Sequence, residues 1–230
     1  MDQIVRAKIF KGEFVAGTRL PSESALAAEL GVSRATIRMV LGKLEAEGIV
    51  SRKHGDGTYV NKHVLGIDVK PTRKMAFRDI IRESGRVAEV VLLSITTRLP
   101  TKEEAERLEV QRKEEVLELI CYFLADKQPA VYSINLYPLK IFTVKPDEFD
   151  VQLPMDEFIK ASTNEQIAYS VSDITASAAP EKIADYLKIK VNEPILKSLD
   201  MFYNLQNRPV VFGTNYYHHE AYRLRIAQPW

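Results

Sequence analysis

Apolar residues recur at helical spacing from the N-terminus as far as Gly48, and strand-like segments enter after it. Ile4, Val5, Ile9 and Phe10 fall on helical intervals between Asp2 and Lys11, and Gly12 offers a stop. After the turn at Ala16-Gly17, Pro21-Ser22 opens a small-residue helix. Ser22 is placed to cap it, Glu23 complements its dipole, and Leu26 and Leu30 face inward until Gly31 ends it. Ser33 caps a third helix whose Ile37, Val40, Leu41 and Leu44 form one apolar stripe ending at Gly48. Two helices joined through so short a glycine turn predict a helix-turn-helix with the outer face of its second helix free to project.

That outer face is cationic. Arg34 and Arg38 lie one turn apart with Thr36 between them, and no acidic residue of the helix precedes Glu45. Such a surface suits the guanine edges of a major groove. The alternation in Ile49 to Lys53 and Thr58 to Val60, separated by His54-Gly55-Asp56-Gly57, predicts a tight hairpin. Gly55 and Gly57 would let its backbone approach a duplex, and Arg52, Lys53 and His54 would stand beside phosphates or the minor groove.

The motifs Leu20-Pro21-Ser22-Glu23, Leu26-Ala27, Gly31-Val32-Ser33-Arg34, Thr36-Ile37-Arg38, Leu44-Glu45, Glu47-Gly48 and Gly55-Asp56-Gly57-Thr58-Tyr59-Val60 run through residues 17–60 almost without a gap. On them this segment resembles the GntR family of bacterial transcription regulators. The resemblance implies that Arg34, Thr36 and Arg38 read or grip DNA and that Ser22, Glu23 and Ser33 sit at helix N-termini against the duplex. Gly55 and Gly57 would form the tip of a wing.

Residues 61–74 are polar and aperiodic, with Gly66 and Pro71, and read as a linker. Beyond it Phe77, Ile80 and Ile81 predict a short helix ended by Gly85, followed by a strand from Val87 to Thr97 and a helix opened by the capping box of Thr101 and Glu104. An internal repeat then emerges. Ile95-Thr96, Ala105 to Leu108 and Val116-Leu117 recur as Ile174-Thr175, Ala184 to Leu187 and Ile195-Leu196, at 174 − 95 = 79. Pro129, Asn135 and Tyr137 recur as Pro209, Asn215 and Tyr217, at 209 − 129 = 80. Each copy reads strand, helix, strand, turn, strand, so two copies can complete one antiparallel sheet about a pseudo-two-fold axis.

Ala125-Asp126, Pro129, Asn135, Pro138, Leu187, Pro194, Pro209 and the segment Tyr217 to Tyr222 resemble the UTRA effector-binding domain of the HutC subfamily, over about residues 75–227. The resemblance implies a chorismate lyase-like sheet with helices. The expected fold class is therefore α+β, with a winged helix over residues 1–63, a linker over 64–74, and an effector-binding and dimerisation domain over 75–230.

Strand alternation puts Ser133, Asn135 and Tyr137 on one side of their strand and Gly213, Asn215 and Tyr217 on one side of theirs, which suits a small polar ligand as well as it suits edge or solvent contacts. In members of the family with sugar-phosphate effectors, two arginines spaced by two occupy the preceding strand. Here those places fall on Cys121 and Phe123, so the expected effector is not a sugar phosphate held in that manner. Arg82 and Arg86 could restore an anion site, and Asp173 or Glu220 could accept a proton. His218 and His219, adjacent in a predicted strand, would point to opposite faces, and no metal or cofactor is expected.

Composition narrows the class further. The 230 residues are 46% hydrophobic and 27% charged, which is ordinary globular usage. The net charge of +1 hides a tilt: residues 1–63 carry 10 Lys/Arg against 7 Asp/Glu, and the remainder 22 against 24. A single cysteine, Cys121, excludes an intramolecular disulfide and favours a reducing compartment. Charges at Asp2, Arg6, Lys8 and Lys11 break up any signal-peptide core, and no apolar run reaches membrane-spanning length. The expected protein is a cytoplasmic, metabolite-responsive transcription regulator, a repressor binding a near-palindromic double-stranded operator as a homodimer and released or re-oriented by a small-molecule effector. The rival expectations are a chorismate lyase-like enzyme with a DNA-binding tether and an effector-blind DNA-binding protein.

Overall fold

The structure, a computed structural model, describes residues 1–64 and 76–220. It divides into two compact units, the first formed by Met1–Lys74 with Gln166–Val171 and Phe202–Arg208, the second by the rest.

In the first unit, helices α1 (Asp2–Phe10), α2 (Glu23–Leu30) and α3 (Arg34–Ala46) precede the antiparallel strands β1 (Val50–Lys53) and β2 (Gly57–Val60). The serines act as caps: Ser22 Oγ accepts from Ala25 N and Ser33 Oγ from Thr36 N, each at 3.1 Å. Gly31 ends α2 at φ +64°, a left-handed conformation that costs glycine nothing. Val5, Ile9, Leu26, Ile37, Leu41, Leu44, Ile49 and Val60 close a single core, each such burial contributing roughly 1.5–3 kcal/mol. Asn61, also buried, ties the strands to α3: its Nδ2 donates to Gly48 O at 2.7 Å and its Oδ1 accepts from Ser51 Oγ at 2.9 Å. After it Lys62–Val64 form a 3-10 turn. Within this unit Lys62 N donates to Asn207 Oδ1 at 2.6 Å, and the His63 ring stacks on Tyr203 at 4.1 Å. Residues 65–74 of the expected linker lie outside the described residues.

The remaining elements are α4 (Phe77–Glu83), β3 (Ala88–Arg98), α5 (Lys102–Arg107), β4 (Val116–Ala125), β5 (Gln128–Pro138), α6 (Met155–Ser162), β6 (Ile167–Ala178), α7 (Glu181–Leu187), β7 (Pro194–Asn204) and β8 (Pro209–Tyr217). They build one six-stranded sheet in the order β3-β4-β5-β8-β7-β6. The repeat is visible in its register. Ser133 faces Asn215 and Asn135 faces Gly213, while Ile134 pairs with Thr214, its own equivalent at 214 − 134 = 80. The pseudo-two-fold axis therefore passes through the Ile134–Thr214 pair, and the equivalent residues Asn135 and Asn215 flank that pair from opposite sides.

The two faces of the sheet differ. On one, Ile183, Ala184 and Leu187 of α7 cover Ile120 and Tyr132 in an apolar layer. On the other, α4 covers Val131 and Tyr217 near one end of β5, while Phe142 and Phe158 pack edge-on against Tyr137 near the other. Helix α6, which the sequence reading did not single out, supplies Phe158. Its signal was Met155, Phe158, Ile159 and Ser162 at helical spacing after Pro154.

Candidate functional site

The outer face of α3 carries Arg34 and Arg38, both exposed. Arg38 is 64% exposed and is held by Glu23 of α2, whose Oε2 accepts from Nε at 3.2 Å and from Nη2 at 3.1 Å. Glu23 thus occupies one edge of the guanidinium and leaves the Nη1–Nη2 edge for another partner. Thr36 spends its N–H on Ser33, and the two hydroxyls lie 2.9 Å apart, so this pair shapes the start of the helix. Met39, beside Arg38, is 70% exposed and adds an apolar contact that sequence reading did not single out.

In the hairpin, Gly55 has φ +75° and Gly57 +151°. A Cβ at Gly57 would overlap the guanidinium of Arg19, which lies over the hairpin 3.8 Å from Asp56 and which sequence reading missed. Lys53 pairs with Asp56 at 3.0 Å, and Lys53 and Tyr59 hold that carboxyl below its usual range. His54 is exposed at the tip. Arg52 departs from the expectation of a phosphate contact. Its Nη2 donates to Arg38 O at 3.0 Å, which makes it a strut between hairpin and α3.

On the open face of the sheet, the register brings Ser133, Asn135, Asn215 and Tyr217 onto one side. It adds Ser198 and Asp200 from β7, which sequence reading missed although Asp200 stands between the apolar Leu199 and Met201. Asn135 Nδ2 donates to Ser133 Oγ at 3.1 Å. Ser198 Oγ donates to Asp200 Oδ2 at 2.6 Å and lies 2.8 Å from the Tyr217 hydroxyl. Asn215 Nδ2 donates to Ser198 Oγ and to the same Asp200 oxygen. Burial pushes the Asp200 carboxyl above its ordinary range despite these bonds, and the charge of Asp173 adds to the shift.

The other candidates scatter. Cys121 faces Ser133 across the β4–β5 ladder and joins the row, its thiol pushed up to about 12 by burial. Phe123 faces Val131 and packs with Phe77. Tyr137 is fully buried among aromatic rings and forms the wall of the row. Arg82 is exposed 4.0 Å from Asp79, and Arg86 Nε donates to Ser84. Asp173 is exposed on β6, and Glu220 is exposed beside His219. The cation of α4 whose charge reaches Cys121 is instead Arg78, whose guanidinium donates to Gln152 O and Oε1. His218 and His219 do not point apart: β8 ends at Tyr217, alternation ends with it, and the rings stack at 5.0 Å.

A helix-turn-helix with a cationic outer face and a wing, carried on one chain with a duplicated sheet that buries a polar row, defines a ligand-responsive DNA-binding regulator of transcription. The chain belongs to the gntR family of bacterial regulatory proteins: that family's profile matches residues 2–60, and the profile of the UTRA domain matches residues 83–223. It is a metabolite-responsive transcription regulator of the α+β class. Along its whole length it is 22% identical to YurK, an HTH-type transcriptional regulator of Bacillus subtilis, covering 94% of that protein. It is 24% identical to MngR of Escherichia coli, the mannosyl-D-glycerate transport/metabolism system repressor, over 96% of this chain and 91% of that one. Among solved structures, PhnF from Mycobacterium smegmatis has the same fold, with a TM-score of 0.63 at 17% identity over 100% of this chain and 99% of that chain.

Proposed function

We propose that the protein is a repressor that binds a near-palindromic operator as a homodimer in the cytoplasm, leaves it when a small polar effector enters the open face of the sheet, and has no enzymatic activity of its own. The carrying observation is the pairing of Arg38 with Glu23, which holds one guanidinium edge and presents the other where a base edge would meet it. Arg34 and Thr36 flank it, Lys53, His54 and the backbone at Gly55 and Gly57 meet phosphates, and Ser22 and Ser33 set the helix ends. Ser133, Asn135, Asn215 and Cys121 face the effector. A single recognition helix reads only one short half-site, which favours two copies. Strand β6, at the sheet edge and exposed along most of 170–178, offers an unpaired ladder for the second copy. MngR is named a repressor, which supports repression as the sign of regulation.

The test is to select duplexes from a random pool with the full chain, measure their symmetry, and determine the stoichiometry by analytical ultracentrifugation. Two chains on a two-fold sequence support the reading, and one chain on an asymmetric site refutes the dimer.

A further inference from the structure

Most donors of the polar row beside Asp200 are already engaged. Asn135 Nδ2 is turned to Ser133, Asn215 Nδ2 to Ser198 and Asp200, and Ser198 Oγ to Asp200. With Ser198 donating to the carboxylate, the Tyr217 hydroxyl donates to Ser198. What remains is Asn215 Oδ1, buried without a hydrogen-bond partner on a residue only 3% exposed, beside a carboxylate on a residue 7% exposed. Among the described residues no lysine or arginine pairs with Asp200. Gly213 stands between these groups in the middle of β8, where a strand gains nothing from glycine unless something approaches closely. A Cβ there would lie 3.0 Å from Asn135 Oδ1, 3.5 Å from Asn215 Nδ2 and 3.6 Å from Asp200 Cβ.

We infer that the effector carries a protonated amine, which docks at Asp200 with Asn215 Oδ1 accepting a second of its N–H bonds; this rests on reading the row as the effector site. A buried carboxylate without a cation costs free energy that a ligand ammonium would offset, and an ammonium brings three donors to a place rich in acceptors. A neutral polyol supplies donors but leaves the charge unmatched, and a phosphate meets a like charge. The cation that does approach the row, Arg78, lies toward Cys121 at its other end and is engaged by Gln152.

The experiment uses the full chain and three matched probe sets, read by thermal shift and isothermal titration. The amines are lysine, 6-aminohexanoate, 1,5-diaminopentane and glucosamine; the hydroxyl counterparts are 6-hydroxyhexanoate, 1,5-pentanediol and glucose; the phosphate ester is glucose 6-phosphate. At least one amine is expected to bind and its hydroxyl counterpart to fail, and Asp200→Asn, close to isosteric, should weaken the amine by about tenfold or more. Asn215→Asp, which adds charge beside the same point, should retain it. An amine that binds Asp200→Asn as it binds wild type overturns the inference, and so does a panel in which no amine binds at millimolar concentration. Glucose 6-phosphate bound by wild type and by Asp200→Asn but lost on Cys121→Trp would leave the site standing and sink the amine. If binding of every ligand survived Cys121→Trp, the site reading itself would fall.

Discussion

Replacing Arg38 with alanine isolates the base-reading contribution. Arginine offers five N–H donors; Glu23 takes the Nε and Nη2 edge, and the Nη1–Nη2 edge remains for the bidentate geometry that suits guanine O6 and N7. Loss of one such contact is expected to weaken the selected operator roughly 5- to 150-fold. Binding to a scrambled duplex should change only by the loss of one cation. Lys53→Ala should instead weaken both duplexes alike and flatten the salt dependence by about one counterion. Glu23→Gln should tighten scrambled DNA by removing a negative charge and so narrow the ratio. Fluorescence anisotropy against both duplexes over a range of salt concentrations separates the three. If Arg38→Ala leaves the ratio of operator to scrambled affinity at its wild-type value, α3 is not the reading helix, and the assignment of its outer face is wrong.

Other consequences follow from the same geometry. Because the folded protein raises the Asp200 pKa above that of the unfolded chain, its contribution to stability is fully present below the unfolded value near 3.8 and is lost as pH rises through the folded value. Asp200→Asn should therefore raise the melting temperature of the ligand-free protein at pH 7, with the gain shrinking toward pH 4; a gain that grows on acidification would contradict this. Gly57→Ala should weaken DNA binding more than Gly55→Ala, since both meet left-handed strain of about 1–2 kcal/mol but only the former also displaces Arg19. Equal losses in anisotropy would refute the wing packing. Cys121, buried with its thiol pushed up to about 12, should resist iodoacetamide at pH 8 until the protein is unfolded, which mass spectrometry would read directly.

Much of this protein was legible in its sequence because local rules decided it. Ser22 and Ser33 cap where their side chains can reach the next turn, Gly31 takes a left-handed C-cap at no strain and Gly57 leaves room for Arg19, and the 3.6-residue stripe of α3 leaves Arg34 and Arg38 outside whatever else the chain does. The repeat, too, announced two equivalent halves. Tertiary structure alone decided how those halves meet. The register that puts Ser133 opposite Asn215 is a relation between strands some 80 residues apart, and neither strand specifies it by itself. That pairing made one row of two polar patches and drew in Asp200 from β7, a residue that in sequence is merely a polar break in an apolar strand. The same reason explains Glu23 and Arg38, which looked like two separate contacts and became one when α2 packed against α3. Covalent neighbours set the elements, while long-range packing chose which charges would face a partner and which would face each other.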